Sequence, residues 1–484
     1  TFCLVMAAFF FVTLLYPQRN QASADQLRPP VPRGKYTEDI AVLMPAKRQP
    51  VSYADTIINA ALTQLRHPQY RLFPLIYSDD PLTARVALTA ARVIREWRVT
   101  GGSYEQMLAV AASYLAHMPG SDVPLTAAEL DQITLAVAKD DLVQVIIYPV
   151  ELLVEGRLKS KPLKLNYAFN LLKERFSAFT ILDAESMAAK DRLIHADQAL
   201  QDRPDVDIVQ YPVQLMPPKL TGSGLKRLGQ YLRRWYSWHN LLEYYRTYLG
   251  LMPFGADHGF VSLGGNTLIV RTALLEKTSG WPEEPTEDCA LGTIAASLFG
   301  ARTVVYNDPL LATLEETPPT VMELIKQRRR WHHGFLRVLL SGVWRQLPTR
   351  EERLLAFWTL AGPFMQAVTS VLVVLTLVTM FLVKSPPVFV MIMYAPIAVM
   401  VVAVVMQLKQ LSDCGKAFGF RAPWHVHLLV TVTQVPYQWL LGVAATWATK
   451  RHFDDNLEWH DTARSGDVTR LTASAHPQLA AATN

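Results

Sequence analysis

The sequence predicts an α/β fold, a mostly parallel sheet with helices on both faces, together with a membrane section. Between residues 35 and 308, short β-rich runs alternate with helical patterns, which is typical of βαβ units and parallel sheets. The chain is 50% hydrophobic over 484 residues, and its mean hydropathy of +0.12 exceeds what ordinary soluble proteins need. The predicted strands are Ile40–Pro45, Arg71–Ser78, Leu142–Pro149, Ala178–Asp183, Asp207–Val213 and Arg302–Asn307.

Charge and cysteine content limit the kinds of partner and site that the sequence indicates. Lys and Arg total 47 against 42 Asp and Glu, which gives a net charge of +5. This small excess fits an anionic membrane surface or an anionic substrate and does not require nucleic acid. The three cysteines, Cys3, Cys289 and Cys414, form no CxxC pair. We therefore expect free thiols rather than a disulfide framework or a zinc site.

Apolar runs at both ends predict the membrane section. The run at 1–16 is typical of a truncated transmembrane helix; a signal-peptide core is the competing interpretation, but no small-residue cleavage site follows it. The C-terminal runs 354–383, 388–408 and 424–447 are each about long enough to cross ~30 Å of hydrocarbon. Basic residues after the first run and before the last make both places cytoplasmic by the positive-inside rule. Because Gln434, Pro436 and Gln438 interrupt the last run, it is either a full crossing or an interfacial or re-entrant segment.

These patterns divide the chain into five parts. The segment at 100–141 is predicted to be an insertion with two short helices, near Tyr104–His117 and Thr126–Ala138, and it suggests no chemistry. The parts are an N-terminal transmembrane helix (1–16), a cytoplasmic α/β domain (35–320), an amphipathic interfacial helix (321–345), a C-terminal transmembrane region (354–447) and a cytoplasmic, partly disordered tail (448–484).

Acidic residues follow several predicted strands, at the edge of a parallel sheet where ligands bind. Asp79 and Asp80 follow the second strand, and Asp183-Ala184-Glu185 follows the fourth. Two carboxylates one residue apart on an extended backbone project to the same side, and hard divalent cations prefer oxygen ligands. Asp183 and Glu185 are therefore candidate Mg²⁺ or Mn²⁺ ligands, with a solvated strand end as the alternative.

Three lysines, Lys159, Lys161 and Lys164, lie at the start of a predicted helix. Cations near a helix N-terminus do not improve the interaction with the helix dipole, so contact with phosphate is a reasonable use for them. Ordinary solvated lysines are the alternative.

Thr286-Glu287-Asp288 opens another predicted helix, which Thr286 is able to cap. A carboxylate at this point needs only to face an acceptor hydroxyl in order to act as a base. The structural alternative is a capped helix with acids in its first turn.

Gln327-Arg328-Arg329-Arg330-Trp331 lies in a predicted amphipathic, cationic helix over Met322–Leu340. Arginine can hold phosphate and tryptophan can stack on a ring. A helix of this kind also suits a membrane interface. Two interpretations of this segment remain: a site that binds phosphate and stacks on a ring, or a purely interfacial anchor.

Taken in order, these motifs resemble those of the membrane-embedded glycosyltransferase family 2, inverting enzymes that include cellulose, hyaluronan and poly-N-acetylglucosamine synthases. The resemblance covers most of Ile40–Trp331. The matched elements are the first strand ending at Met44-Pro45-Ala46, the nucleotide-binding aspartates at Asp79-Asp80, a Gly-Lys-x-x-Ala-Leu-Asn-like segment at Lys161–Asn166, a metal-binding D-x-D at Asp183–Glu185, T-E-D at Thr286–Asp288 and Q-x-x-R-W at Gln327–Trp331.

Three further segments extend the resemblance, and two positions depart from it. Phe260–Asn266 with Arg271 resembles the acceptor-side glycine-rich segment, and Thr313–Glu316 resembles T-x-E-E. Trp459–Arg464 resembles the W-x-K-T tail motif, which favours a cytoplasmic tail and hence an interfacial or re-entrant last run. Pro45–Gln49 lacks the family's usual Asn-Glu after the first strand. Glu185 replaces the second Asp of D-x-D, which retains a carboxylate and lengthens it by one methylene.

The resemblance implies a GT-A-like fold and an inverting transfer from a nucleotide-diphospho-sugar to a growing polysaccharide, at the inner (plasma) membrane, with several spans and a cytoplasmic catalytic domain. Asp288 is the implied base, and Glu287 and Arg330 complete the implied catalytic group. The implied donor site is Asp79, Asp80, Lys161, Lys164, Asp183, Gln327 and Arg330. The implied acceptor site is Trp331, Thr286, Gly264 and Gly265.

Two other functions are open at this stage. One is the transfer of a single sugar to a lipid-phosphate acceptor. The other is an inactive, transferase-like membrane subunit, which the two departures keep open. Sugar identity, linkage, accessory subunits and any activator are not indicated by the sequence.

Overall fold

The computed structural model describes residues 35–47, 52–64, 66–116, 123–153, 159–218, 223–382 and 387–454. The predicted transmembrane run at 1–16, Arg48 and Gln49 of the first departure, and the tail motif at 459–464 lie outside the described residues.

A seven-stranded sheet forms the centre of the α/β part. The strands are β1 Ile40–Pro45, β2 Tyr70–Tyr77, β3 Ile146–Tyr148, β4 Ala178–Ile181, β5 Ile208–Gln210, β6 Val213–Leu215, β7 Leu268–Arg271, β8 Thr303–Val305 and β9 Thr313–Glu315. The order across the sheet is β3-β2-β1-β4-β7-β5-β8. All neighbours run parallel except β7, which is antiparallel to both β4 and β5. Strands β6 and β9 form a small parallel sheet of their own.

Fifteen α-helices lie in the described part of the chain. They are α1 Ser52–Thr63, α2 Pro81–Thr100, α3 Tyr104–Leu115, α4 Ala127–Ala138, α5 Lys161–Leu172, α6 Arg192–Asp202, α7 Gly224–Arg233, α8 Trp235–Arg246, α9 Met252–Asp257, α10 Thr272–Lys277, α11 Glu287–Phe299, α12 Val321–Ser341, α13 Arg350–Leu382, α14 Pro387–Ala417 and α15 Trp424–Phe453.

The sheet is buried on both faces, as predicted. Alternate residues of a strand point to opposite faces, and β1 divides accordingly between two cores. Ile40, Val42 and Met44 belong to the core that includes α1, α2 and α6. Ala41 and Leu43 belong to the core that includes α5, α10 and α11. The predicted mostly parallel sheet with helices on both faces is confirmed.

The structure differs from the predicted strands at three places. The run predicted at 207–213 is two strands, β5 and β6, because Pro212 between them has no N–H to continue a ladder. β7 and β9 were not predicted. β7 is only four residues long. It follows the turn Gly264-Gly265-Asn266, and the next residue, Thr267, has a φ of 66°. Turn residues next to so short an apolar run make it hard to recognise as a strand from the sequence.

Long helices form the C-terminal part. α13, α14 and α15 have 33, 31 and 30 residues, and α15 is unbroken through Pro436. Within the described residues, α15 is the helix long and apolar enough to cross a membrane, which by itself is weak support for membrane association.

α12 lies inside the protein, in contact with α11, α13 and α15. Its polar residues Gln327, Arg328, Arg329, His332 and His333 are buried. A helix that rests in a membrane interface turns such residues toward water. The amphipathic pattern of this helix therefore corresponds to packing against other helices and around a polar site.

Candidate active site

The site lies at one edge of the sheet. The carboxyl ends of the parallel strands meet there, and because β7 is antiparallel, the Gly264–Asn266 turn before it reaches the same edge. A cavity of about 440 Å³ is bounded by this edge, by the starts of α5 and α11, and by α12 and α13. The predicted site residues that line it are Lys161, Lys164, Asp183, Glu185, Gly264, Gly265, Thr286, Glu287, Asp288, Gln327, Arg330 and Trp331.

Lys161 joins the two predicted acidic motifs. It is the first residue of α5, and its Nζ lies 2.8 Å from Asp183 Oδ1, 3.0 Å from Glu287 Oε1 and 3.2 Å from the Gly265 carbonyl oxygen. Burial disfavours the ammonium form, but the charges of Asp183 and Glu287 outweigh it and raise the pKa of Lys161. The lysine is therefore a fixed cation between the end of β4 and the start of α11.

Asp288 places a partly buried carboxylate beside the glycine turn. A Cβ on Gly265 would lie 3.0 Å from Asp288 Oδ2, so only glycine lets the backbone approach this closely. Burial, and then the charge of Glu287, raise the pKa of Asp288 to about 7, against the opposing effects of the Cys289 N–H, Lys161 and Arg330. A carboxylate with a pKa near neutrality is well suited to accept a proton.

Thr286 does not cap α11 through its side chain, contrary to the expectation from sequence. Its hydroxyl is buried without a hydrogen-bond partner among the described residues. It packs against α12, where a Cβ on Gly334 would lie 2.1 Å from Thr286 Oγ1. Gly334 thus allows α12 to come within contact distance of the T-E-D motif.

α12 presents Gln327, Arg330 and Trp331 to the cavity. Arg330 Nη1 donates to the Pro285 carbonyl oxygen at 3.4 Å, which places the guanidinium beside the T-E-D turn. Gln327 is 3% exposed, and its Oε1 accepts no hydrogen bond from the described residues. The two motifs that the sequence separates are therefore in one site.

Arg328, to which the family resemblance gave no role of its own, lies over the ring of Trp331. Its guanidinium lies 4.3 Å from the centre of that ring. Arg328 donates to Asn240 and, at 2.6 Å, to Glu243 Oε2 on α8. Glu243 also accepts from the Tyr437 hydroxyl of α15 at 2.8 Å. This chain of contacts ties the cavity wall to α15.

The lysines and aspartates predicted to hold the donor separate into two groups. Lys164 lines the cavity, where its ammonium donates to the Ala46 carbonyl oxygen and lies 4.9 Å from the centre of the Tyr77 ring. Asp79 and Asp80 do not line it. Asp80 caps α2, accepting from the Thr83 N–H at 3.3 Å, and Asp79 pairs with Lys159.

The cavity offers few side chains that could bind a metal ion. Asp183 and Glu185 both line the cavity, and two carboxylates with substrate phosphates and waters are a common Mg²⁺ environment. Among the residues that the structure describes, no group of three or more His, Cys, Asp or Glu side chains could hold a metal ion. The pair fits a cation whose remaining ligands come from the substrate.

A buried polar cluster behind the site was not predicted. Asn266 Nδ2 donates to Ser186 Oγ at 2.6 Å and to Glu315 Oε1 at 2.5 Å, and Ser186 Oγ donates to the same Glu315 oxygen at 2.9 Å. This cluster holds the glycine turn against the loop after β4. The T-x-E-E resemblance pointed to Glu315, but not to these partners.

Arg271 lies at the opposite end of β7 from the glycine turn. It pairs with Glu38 at 3.0 Å and donates to the carbonyl oxygens of Leu200 and Val206. These contacts join α6, β7 and the start of the described chain. Arg271 therefore has a structural position, although the resemblance groups it with the acceptor-side segment.

Comparison with known proteins identifies the reaction class. Residues 99–334 match the family model described as glycosyltransferase like family 2. This chain is a glycosyltransferase. The match spans the site motifs from Lys161 to Trp331 and leaves β1, β2, Asp79 and Asp80 outside it. The GT-A-like fold expected from the resemblance is present in its mostly parallel sheet.

Solved structures similar to this glycosyltransferase are distant. No curated protein matches the chain. The mannosyltransferase PcManGT from Pyrobaculum calidifontis, solved with GDP-Man and Mn²⁺, is 14% identical over 94% of this chain and 98% of its own, with a TM-score of 0.44. Residues 1–349 of S. aureus TarS are 11% identical over 88% of this chain and 94% of their own, with a TM-score of 0.34.

Proposed function

We propose that this glycosyltransferase is a membrane enzyme that transfers a sugar, with inversion, from a nucleotide-diphospho-sugar to a growing polysaccharide chain. The observation that carries the proposal is the position of Asp288. Its partly buried carboxylate lines a cavity that Lys161 and Arg330 also line. A base and two cations in one cavity match the needs of a displacement that releases a diphosphate.

Inversion requires one displacement and one base. Asp288 takes the proton of the acceptor hydroxyl, whose oxygen attacks the anomeric carbon on the face opposite the diphosphate. The bond between that carbon and the diphosphate oxygen breaks, and the diphosphate leaves with the bonding electrons. Lys161 and Arg330 stabilise the negative charge that develops on it. Gln327 and Lys164 complete the donor side of the cavity.

Asp183 and Glu185 would hold a Mg²⁺ or Mn²⁺ ion. A divalent cation would supply charge neutralisation for the diphosphate. Asp79 and Asp80 have no part in the proposed donor site, because they do not line the cavity.

The acceptor side is formed by Trp331, Thr286, Gly264 and Gly265. An indole ring offers a stacking surface for a sugar, and Arg328 holds that ring in place. Beyond these residues the cavity is lined by Trp358, Gly362, Pro363 and Gln366 of α13. Because α13 is an apolar helix, we propose that the acceptor approaches from the membrane side.

The proposed location is the inner (plasma) membrane. The catalytic domain and tail would face the cytoplasm, and 1–16 and 354–447 would contribute several spans. The length and composition of α15 give weak support to membrane association and do not bear on the number of spans or on the side that the domain faces.

The test is a screen of UDP- and GDP-sugars with purified membranes that contain the full chain. Nucleotide release and product size are read with and without divalent metal. A ladder of products supports chain extension. A single lipid-linked sugar overturns it in favour of transfer to a lipid-phosphate, and no transfer from any nucleotide sugar indicates an inactive subunit.

The matched variants are Asp288→Asn and Asp131→Asn. Asp131 lies on α4, outside the residues that line the cavity. General-base catalysis contributes about 10²- to 10⁴-fold, so Asp288→Asn should lose that factor in transfer while donor binding is retained. Near-normal transfer by Asp288→Asn contradicts its role as the base.

A further inference from the structure

The helix formed by α8 and α9 has a π-helical turn beside the cavity. Five residues, Thr247–Leu251, separate the two α-helical parts, and the Met252 N–H donates to the Thr247 carbonyl oxygen five residues back. Pro253 follows, and in a regular α-helix its ring would collide with the carbonyl group four residues before it. π turns occur frequently at functional sites. The proline thus accounts for a break in α-helical pitch at the point where this helix passes the cavity.

The π turn carries Tyr248, which belongs to no motif of the sequence analysis, to the glycine turn. Tyr248 lines the cavity, and a Cβ on Gly264 would lie 2.2 Å from its hydroxyl oxygen. Asp288 Oδ2 has the same relation to Gly265, at 3.0 Å. Consecutive Cα atoms are about 3.8 Å apart. The Tyr248 hydroxyl and the proposed base therefore lie against neighbouring residues of one turn.

The Tyr248 hydroxyl keeps its proton. Burial is the largest cause of a pKa of Tyr248 well above its usual range. Neighbouring acidic groups add to this effect, and they are Tyr244, Glu315, Asp288 and Asp183. A phenol in this position can donate a hydrogen bond to a substrate oxygen, and it leaves the transfer of the proton to Asp288.

Tyr248 extends the aromatic wall of the acceptor side. Its ring centre lies 5.8 Å from that of Tyr244, which in turn lies 6.0 Å from that of Trp331. All three residues line the cavity. Aromatic rings offer large apolar surfaces, to which tyrosine adds a polar hydroxyl. The wall therefore presents a stacking surface at Trp331 and a hydrogen-bonding group at Tyr248.

We propose that Tyr248 determines acceptor specificity by donating a hydrogen bond to the sugar hydroxyl next to the one that Asp288 deprotonates. The terminal ring of the acceptor stacks on Trp331, its reacting hydroxyl faces Asp288, and the neighbouring hydroxyl faces Tyr248. The acceptor class is thus a sugar with two free vicinal hydroxyls on its terminal ring. This inference rests on the proposed function, and it adds a requirement for the hydroxyl that does not react. A site that hydrogen-bonds a substrate hydroxyl discriminates against the analogue that lacks it.

The test measures initial rates of transfer by the full chain in purified membranes. The donor is the nucleotide-sugar that the screen of UDP- and GDP-sugars selects. The acceptors are the methyl glycoside of the same sugar and its monodeoxy derivatives, each of which lacks one hydroxyl. Tyr248→Phe removes the phenol hydroxyl and keeps the ring. Tyr114→Phe, at a partly buried position on α3 outside the cavity, is the matched control.

We expect Tyr248→Phe to raise KM for the parent glycoside about tenfold at nearly unchanged kcat, because one hydrogen bond to a neutral hydroxyl is lost. One monodeoxy glycoside should show a similar loss with the unaltered chain and no further loss with Tyr248→Phe, because both changes remove the same contact. Tyr114→Phe should leave all of these values as they are in the unaltered chain.

Equal losses by Tyr248→Phe on the parent and on every monodeoxy glycoside would give Tyr248 a purely structural role and overturn the inference. An unchanged KM in Tyr248→Phe overturns the inference alone, since transfer itself is then intact. Extension of a polysaccharide without use of any of these glycosides overturns recognition of a single terminal ring. Transfer to a lipid phosphate alone, or no transfer from any nucleotide sugar, overturns the proposed function and this inference together.

Discussion

The Lys161 ammonium lies 2.8 Å from the Asp183 carboxylate, so the first residue of α5 is paired with the loop after β4. The same ammonium is 3.0 Å from Glu287 Oε1 at the start of α11. One cation therefore neutralises both an acid of the proposed metal site and an acid next to the proposed base. A metal ion at Asp183 must share that carboxylate with Lys161 or displace it.

Lys161→Met is expected to destabilise the protein as well as to lower transfer. Removing one partner of a buried ion pair costs about 3–5 kcal/mol, because the remaining charge is left without compensation. Lys161 is 17% exposed and Glu287 is 3% exposed. Lys159→Met is the control, since Lys159 pairs with Asp79 at a more exposed position. Thermal unfolding of both variants is the measurement, and equal shifts in Tm would contradict a special role for Lys161.

The rate of transfer should rise with pH through about 7. Burial and Glu287 raise the pKa of Asp288 to about 7, and only the ionised carboxylate can accept a proton. kcat/KM is therefore low below this pH and reaches a plateau above it. Glu287→Gln removes a like charge, which favours ionisation of Asp288, so the rising limb should move to lower pH by roughly one unit. Glu284→Gln, which breaks a pair with Arg337, should leave the limb in place. A limb that stays fixed in Glu287→Gln would show that another group titrates.

Gly334→Ala should separate α12 from the T-E-D motif. A Cβ at this position would lie 2.1 Å from Thr286 Oγ1, and relieving such an overlap typically costs about 1–3 kcal/mol. We expect transfer to fall by roughly tenfold or more, because Arg330 and Trp331 move with α12. Gly229→Ala on α7 is the control, since a Cβ there has nothing within 4 Å. The two variants are compared by initial rates and by unfolding temperature, and normal rates for Gly334→Ala would show that the close approach is not needed.

The sequence predicts those site residues that belong to recognisable motifs. It predicts less well the residues whose role depends on how the chain packs. Asp183, Asp288 and Arg330 are far apart in the chain and line one cavity, because the loop after β4, the start of α11 and the middle of α12 meet there. Asp80 was expected at the donor site, but the start of α2 uses its carboxylate as a cap, and sequence alone does not distinguish a helix cap from a ligand.

The helix that contains Gln327–Trp331 shows that a local sequence pattern does not determine where a helix packs. Its basic, amphipathic pattern fits a membrane interface and also a helix packed among others. The choice depends on α15, which lies about a hundred residues later and covers Arg329 through Trp447. Contacts of that range cannot be read from local periodicity. The short strand β7 was missed for a related reason, since its place between β4 and β5 is set by pairing with distant strands.

Metal binding should depend on the nucleotide. The described residues offer two carboxylates, Asp183 and Glu185, and Lys161 competes for the first. Diphosphate oxygens would complete the coordination, so Mn²⁺ should bind roughly 10- to 100-fold more tightly with GDP or UDP than alone. Calorimetry with and without nucleotide measures this difference, and chelation should stop transfer until Mn²⁺ or Mg²⁺ is restored. Asp183→Asn should abolish the coupling, whereas Asp205→Asn should not, because Asp205 pairs with Arg203 and Arg302 away from the cavity. Equal Mn²⁺ affinity with and without nucleotide would contradict a site completed by the donor.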